Sequence, residues 1–117
     1  MVIAVTAASM PRVSRGEIWL AAIDPTLGSE IQKTRPCLVI SPDEMNGTLR
    51  TVTVAPMTTG SRPAEFRIAV SHGGKRGLIL LDQIRTLDKV RLIQRSGRVS
   101  AGTLRATLER LQETFAP

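Results

Sequence analysis

Gly28-Ser29-Glu30, Lys33-Thr34-Arg35-Pro36 and Cys37-Leu38-Val39-Ile40 follow one another in a single stretch, and the fold turns on how that stretch is read. A polar loop holding an acid and two cations empties into an apolar run. Proline fixes its own φ and presses the residue before it into extended geometry. Arg35 is thereby held at a strand entrance rather than on a loose tip, a good station for gripping phosphate. The run Pro36–Ser41 is short and almost wholly apolar, which predicts a central strand covered on both faces.

Working outward, Glu17–Ile23 reads as a strand ended by Asp24-Pro25-Thr26. After the central strand, Ser41-Pro42-Asp43-Glu44-Met45-Asn46-Gly47 predicts one helical turn, with serine as N-cap and proline at the first helical position. Thr51–Ala55 alternates hydroxyl and methyl, a half-exposed strand, and Pro56–Pro63 reads as a polar loop just past it. Glu65–Val70 alternates likewise. His72–Gly77 reads as a flexible turn with His72 in solvent, leading into the apolar Leu78–Leu81. Ser100 opens a helix with Leu104, Leu108, Leu111 and Phe115 on one stripe, and Arg105 and Glu109 at a favourable spacing. The prediction is a mainly β chain closed by one C-terminal helix, a small antiparallel barrel or sandwich.

The 117 residues suit one domain, expected over 14–117 and preceded by a disordered extension, 1–13. No apolar run approaches the roughly 18 residues that span a bilayer. One cysteine makes no internal disulfide, so a cytoplasmic location is expected. The formal net charge is +6, and the excess is uneven. Residues 1–60 hold five basic and five acidic side chains, whereas residues 61–117 hold eleven basic and five acidic. The densest stretch, Arg85, Lys89, Arg91, Arg95 and Arg98, reads as a basic face for a polyanion or an acidic protein tail, or simply as a solvated surface. Trp19, Phe66 and Phe115 are the only aromatic rings. Without aromatic platforms for stacked bases, nucleic-acid contact must rest on arginine, hydroxyls and backbone amides.

One histidine and one cysteine supply no zinc ligand set, so no metal or other cofactor is expected. Cys37, in a buried strand, reads as a small apolar filler. Three polar clusters remain at strand ends: 24–35, 56–63 and Leu81-Asp82-Gln83-Ile84-Arg85-Thr86. Each alone is explained by caps, turns or a buried ion pair. Together they are the residues that would converge at one barrel mouth.

Arg15-Gly16-Glu17-Ile18-Trp19, Asp24-Pro25-Thr26-Leu27-Gly28-Ser29-Glu30, Lys33-Thr34-Arg35-Pro36, Ala55-Pro56-Met57-Thr58-Thr59 and Leu81-Asp82-Gln83-Ile84-Arg85-Thr86-Leu87-Asp88-Lys89 resemble the MazF/PemK family of toxin endoribonucleases. The likeness runs in order from about residue 14 to 115. It implies a PemK/CcdB-like, SH3-like antiparallel barrel with a C-terminal helix, assembled as a homodimer and not associated with membranes. It also implies metal-independent cleavage of single-stranded RNA, and neutralisation by a cognate antitoxin. By the same resemblance Arg35 and Thr58 are the catalytic pair, with Glu30 matching the family glutamate. Ser29, Gln32, Lys33, Thr59, Arg62, Gln83 and Arg85 are expected to bind the RNA. Some PemK-branch members carry an arginine two residues before the Asp-Gln pair and a histidine in the first loop. Here the first position is Leu80 and the first loop has no histidine, so a strand-end structural role for Asp82 stands beside a catalytic one.

A guanidinium is a poor base near neutrality, so Arg35 is expected to work electrostatically on the phosphate. Thr58 would fix a phosphate oxygen. Glu30 would act as base or would orient Arg35. Two other readings compete: a CcdB-like toxin gripping a protein such as a topoisomerase, and a plain nucleic-acid-binding barrel that uses the Arg85–Arg98 stripe.

Overall fold

The apolar run after Arg35 forms β2 (Thr34–Val39), flanked on one side by β1 (Glu17–Ala22) and on the other by β3 (Thr51–Thr58). The computed structural model describes residues 10–23 and 33–117. Its further elements are α1 (Asp43–Thr48), β4 (Arg67–His72), β5 (Lys75–Leu80), β6 (Arg85–Asp88), β7 (Leu92–Arg98) and α2 (Ala101–Phe115). The antiparallel strands run β4-β5-β3-β2-β1-β7, and β6 pairs with β3 beside β5. β3 therefore changes partner along its length, from β6 at Thr51–Val54 to β5 at Met57 and Thr58. Pro56 falls at the change, where a missing amide is best tolerated. The sheet curls as a half-barrel, and a hydrogen bond of 2.8 Å between His72 Nε2 and Ser96 Oγ links its two edge strands, β4 and β7.

Alternation along the central strands explains burial on both faces. Trp19, Ala21, Cys37, Val39, Val52 and Val54 pack with Val13, Leu87 and Leu92 on one face. Ile18, Leu38, Ala55 and Met57 pack with Ile79, Leu81 and Val99 on the other, where α2 adds Leu104 and Leu111. Cys37, Leu38 and Val39 are completely buried, as a central strand requires.

Several local readings change. Ser41 is not the cap of α1, because Pro42 holds that position without a side-chain bond. The serine is instead buried, donating to Asn46 Oδ1 at 2.6 Å and accepting from the Thr53 amide at 3.0 Å, which pins α1 to β3. β3 runs on through Pro56-Met57-Thr58, residues expected to be loop. His72 belongs to β4, and the turn shrinks to Gly73-Gly74, whose φ values of 59° and 76° suit a two-residue hairpin. Ser100 does cap α2, accepting from the Thr103 amide at 3.1 Å. The helix's fully buried residue is Thr107, its hydroxyl donating to the Thr103 carbonyl, while Phe115 is 70% exposed. The α2 ion pair is Arg110–Glu113 at 2.9 Å rather than Arg105–Glu109. Among the described residues no helix is long and apolar enough to cross a membrane.

Candidate active site

Register brings the site together. β1 sets Ala21 opposite Arg35, and β2 sets Cys37 opposite Pro56. Two residues past the last pair of that ladder come Arg35 on β2 and Thr58 on β3, and both line the same cavities. Residues directly opposite share a face, and β6 adds Arg85 to it through its pairing with Val54. Arg35, Cys37, Thr58 and Arg85 thus lie on the same side of the sheet, which continues the Trp19–Val39–Val54 core face. Beyond Cys37 that face gives way to half-buried Arg35 and Thr58 at the strand ends.

Two cavities meet at this pair. The larger, about 610 Å³, is lined by Lys33, Thr34, Arg35, Thr58, Thr59, His72 and Lys75, with Pro36, Met57 and Val70 supplying apolar wall. The smaller, about 410 Å³, is lined by Arg35, Thr58, Gly60, Ser61, Gln83 and Arg85 with Ile23, Pro56 and Leu80. Each lies in the size range of small-molecule sites. Neither has a carboxylate among its described lining residues, whereas four cations and His72 line the two together. Such a surface favours a polyanion.

Backbone packing fixes Thr58. Its Oγ1 accepts from the Gly60 amide at 3.2 Å, which leaves the hydroxyl proton to donate outward. Gly77 of β5 passes so close that a Cβ there would sit 2.7 Å from the Thr58 carbonyl oxygen. Only glycine fits that approach. Cys37 is inert: burial pushes its thiol up to about 12 despite the nearby Arg85 and Arg35 cations. Thiolate is the reactive form, so the folded chain is expected to resist iodoacetamide at pH 8 and to label once denatured. Rapid native labelling, followed by mass spectrometry, would contradict this burial.

Asp82 is held below the usual carboxylate range by its hydrogen bonds from Arg67. It lines neither cavity and is ionised at neutral pH, so it donates no proton there. Arg62 is exposed and lines neither cavity; its carbonyl accepts from Arg67 Nη1 at 3.0 Å. Lys33 and Thr59 line the larger cavity, and Gln83 and Arg85 the smaller. Glu30, Ser29 and Gln32 lie outside the described residues. Sequence reasoning passed over His72 and Lys75, whereas Ser61 belongs to the 56–63 cluster. A Gly-Gly step between His72 and Lys75 was the available signal, because a two-residue turn pairs those residues across the hairpin.

The basic stripe also reads differently in three dimensions. Lys89 is buried and donates to the Asn46 carbonyl, while Arg91 donates to Ala22 O at 3.1 Å. Arg95 pairs with Glu17 at 2.6 Å, and Arg98 reaches Arg15 O at 3.5 Å. Of the stripe, Arg85 faces the cavities. The other four cations stitch the barrel.

A curled β half-barrel with a cationic double cavity at the ends of its strands defines a small protein built to handle a polyanion. The family model for the PemK-like, MazF-like toxin of type II toxin–antitoxin systems matches residues 14–115, and the chain belongs to that family. It is 40% identical over 105 residues to endoribonuclease PemK of Escherichia coli, covering 85% of this chain and 79% of that protein. It is 34% identical over 110 residues to endoribonuclease EndoA of Bacillus subtilis, covering 89% and 95%. The fold superposes on the MazE–MazF complex of Deinococcus radiodurans with a TM-score of 0.73 at 23% identity, covering 92% of this chain and 96% of that one.

Proposed function

We infer that this chain is the toxin of a type II toxin–antitoxin pair and a sequence-selective endoribonuclease, which cleaves single-stranded RNA and thereby stops translation and growth. The observation that carries the reading is the meeting of Arg35 and Thr58 between two cationic cavities. The matched family and the names of the relatives at 34–40% identity supply the reaction class. A phosphodiester seated at the pair leaves one cavity for the nucleotide on each side of the cut.

The chemistry is attack of a ribose 2′-oxygen on the adjacent phosphorus. The 2′-proton passes to a base, the bond to the 5′-oxygen breaks, and that oxygen gains a proton. The products are a 2′,3′-cyclic phosphate and a 5′-hydroxyl. Arg35 stays charged and grips the phosphate oxygens more tightly as negative charge builds. Thr58 donates its free hydroxyl proton to one of them. The described lining offers no carboxylate base, so that part falls to Glu30, as base or as the group orienting Arg35. A cognate antitoxin is proposed as partner, as MazE is for the Deinococcus toxin. A second copy is proposed as well, since Val90, Ile93 and Phe115 leave apolar surface to bury. A cytoplasmic location is proposed for the pair, a reading supported by the single buried thiol.

The Arg35–Thr58 cleft favours the nuclease over the topoisomerase-directed reading, which leaves it without a task. The plain-binder reading is weakened because Lys89, Arg91 and Arg95 of the stripe are engaged internally. Purified protein incubated with a defined single-stranded transcript in excess chelator is expected to give discrete fragments ending in cyclic phosphate. An intact transcript, with the protein shown to be folded, would overturn the assignment.

A further inference from the structure

Arg67, at the start of β4, lines neither cavity, yet each nitrogen of its guanidinium donates to a residue next in sequence to the lining of the smaller one. Nε and Nη2 form a two-pronged pair with Asp82, at 3.3 Å to Oδ1 and 3.2 Å to Oδ2. Nη1 donates to the Arg62 carbonyl at 3.0 Å, and the group lies 5.6 Å from the centre of the Phe66 ring. Asp82 belongs to the short turn that presents Gln83 and Arg85. Arg62 belongs to the loop that presents Gly60 and Ser61. Those four residues all line the smaller cavity. One guanidinium therefore ties together the two segments that carry them.

We propose that Arg67 is a positioning residue for substrate selection, its link from the Arg62 carbonyl to the Asp82 carboxylate setting the width of the cavity that takes one nucleotide beside the cut. The proposal rests on the nuclease reading and extends it to a side chain that touches no RNA. It also gives the Asp-Gln pair its division of labour: Asp82 holds the brace, and Gln83 lines the cavity.

The geometry separates this role from general stability. Arg35 and Thr58 are placed by β2 and β3, whose pairing does not involve Arg67. The same loop and turn are tied a second time through the backbone, from Arg67 N to Ala64 O at 3.0 Å and from Leu81 N to Phe66 O at 3.1 Å. Loss of the guanidinium alters the walls and leaves the fold and the reacting pair in place. Nor is lysine an equivalent, because a single ammonium cannot reproduce a planar fork that reaches a carboxylate and a carbonyl at once.

The test maps and quantifies cuts on a long defined transcript with the unaltered chain, Arg67→Gln, Arg67→Lys, Asp82→Asn and the Arg67→Gln/Asp82→Asn double variant. Arg67→Gln is expected to raise KM at the preferred site about tenfold while kcat stays within about twofold, the pattern of lost binding that is not specific to the transition state. New cuts should appear at sequences differing from the preferred one at a single position next to the scissile bond. Arg67→Lys should recover only part of the selectivity. Asp82→Asn should reproduce much of the effect and add little in the double variant, because both changes break one brace. Arg67→Gln that cuts the same sites with unchanged KM overturns the proposal, as does a fall in kcat alone or a lowered melting temperature with an unchanged pattern. If the unaltered chain leaves the transcript whole, the nuclease reading fails and takes this proposal with it; identical cutting by the unaltered chain and the variants condemns Arg67's role alone.

Discussion

Arg35→Ala is expected to lower kcat/KM on single-stranded RNA by roughly a hundred- to a thousandfold, the range seen when one donor aimed at developing charge is removed. Pro36 presses Arg35 into extended geometry at the mouth of an apolar strand. The β1–β2 register sets the arginine beside the small, wholly buried Ala21, and Arg35 shares both cavities with Thr58. Arg35→Lys keeps the charge but loses the two-pronged grip on phosphate, so it should recover only a part. Thr58→Val removes a neutral hydroxyl from the same phosphate and should cost less, about tenfold, in line with a hydrogen bond worth about 1–1.5 kcal/mol. Residues that hold one phosphate together are not additive, so the double variant should lose less than the product of the two. Arg35 is half-exposed at a strand end, and its removal should shift the melting temperature little. A pure Arg35→Ala preparation that cuts at the wild-type rate would remove the physical basis of the assignment.

What could be read from the chain beforehand follows the distinction between local and long-range causes. β2 was legible because a continuous apolar run has one comfortable place, and α2 because Ser100 and the leucine spacing mark its start and its inner face. Arg35 was legible because Pro36 acts on its immediate neighbour. The end of β3 was not, since Pro56 punctuates a sequence in the same way whether the strand stops or changes partner. The fate of the basic stripe was also hidden. Lys89 finds the Asn46 carbonyl and Arg91 the Ala22 carbonyl through folding alone, and composition does not distinguish a bonded cation from a solvated one. The Arg67–Asp82 brace joins residues fifteen apart that meet only because β4 and β5 form a hairpin. His72 was misplaced for a related reason: a polar hairpin tip has the composition of a loop, and only the Gly-Gly step marks its strands.

The largest loss of stability from a single polar side chain is expected at Glu17, which sequence pattern shows merely as the first residue of a strand. It is buried, and its carboxylate gathers three donors: the Ser14 amide at 2.6 Å, the Trp19 indole N–H at 3.2 Å and Arg95 Nε at 2.6 Å. This knot fastens the incoming segment, whose Val13 lies in the core and whose Gly16 amide bonds Val39 O at 2.9 Å, onto β1 and β7. Arg95 is 52% exposed, so water takes over from the carboxylate if the acid is lost. Loss of the acid therefore costs the arginine little. The buried indole N–H has no such recourse, and the part-buried Ser14 amide only a partial one. Each orphaned donor costs about 1–3 kcal/mol, so Glu17→Ala should destabilise by about 2–4 kcal/mol. For a domain of this size that corresponds to roughly 10–20 °C in melting temperature. Glu17→Gln keeps an acceptor oxygen for these two donors and should lose about 1 kcal/mol. Arg95→Ala leaves a buried carboxylate held by two neutral donors and should fall between the two acid variants. Thermal and urea unfolding of the three variants should thus rank Glu17→Ala lowest. If Arg95→Ala proved as damaging as Glu17→Ala, the charge pair rather than the buried donors would be holding this edge of the barrel.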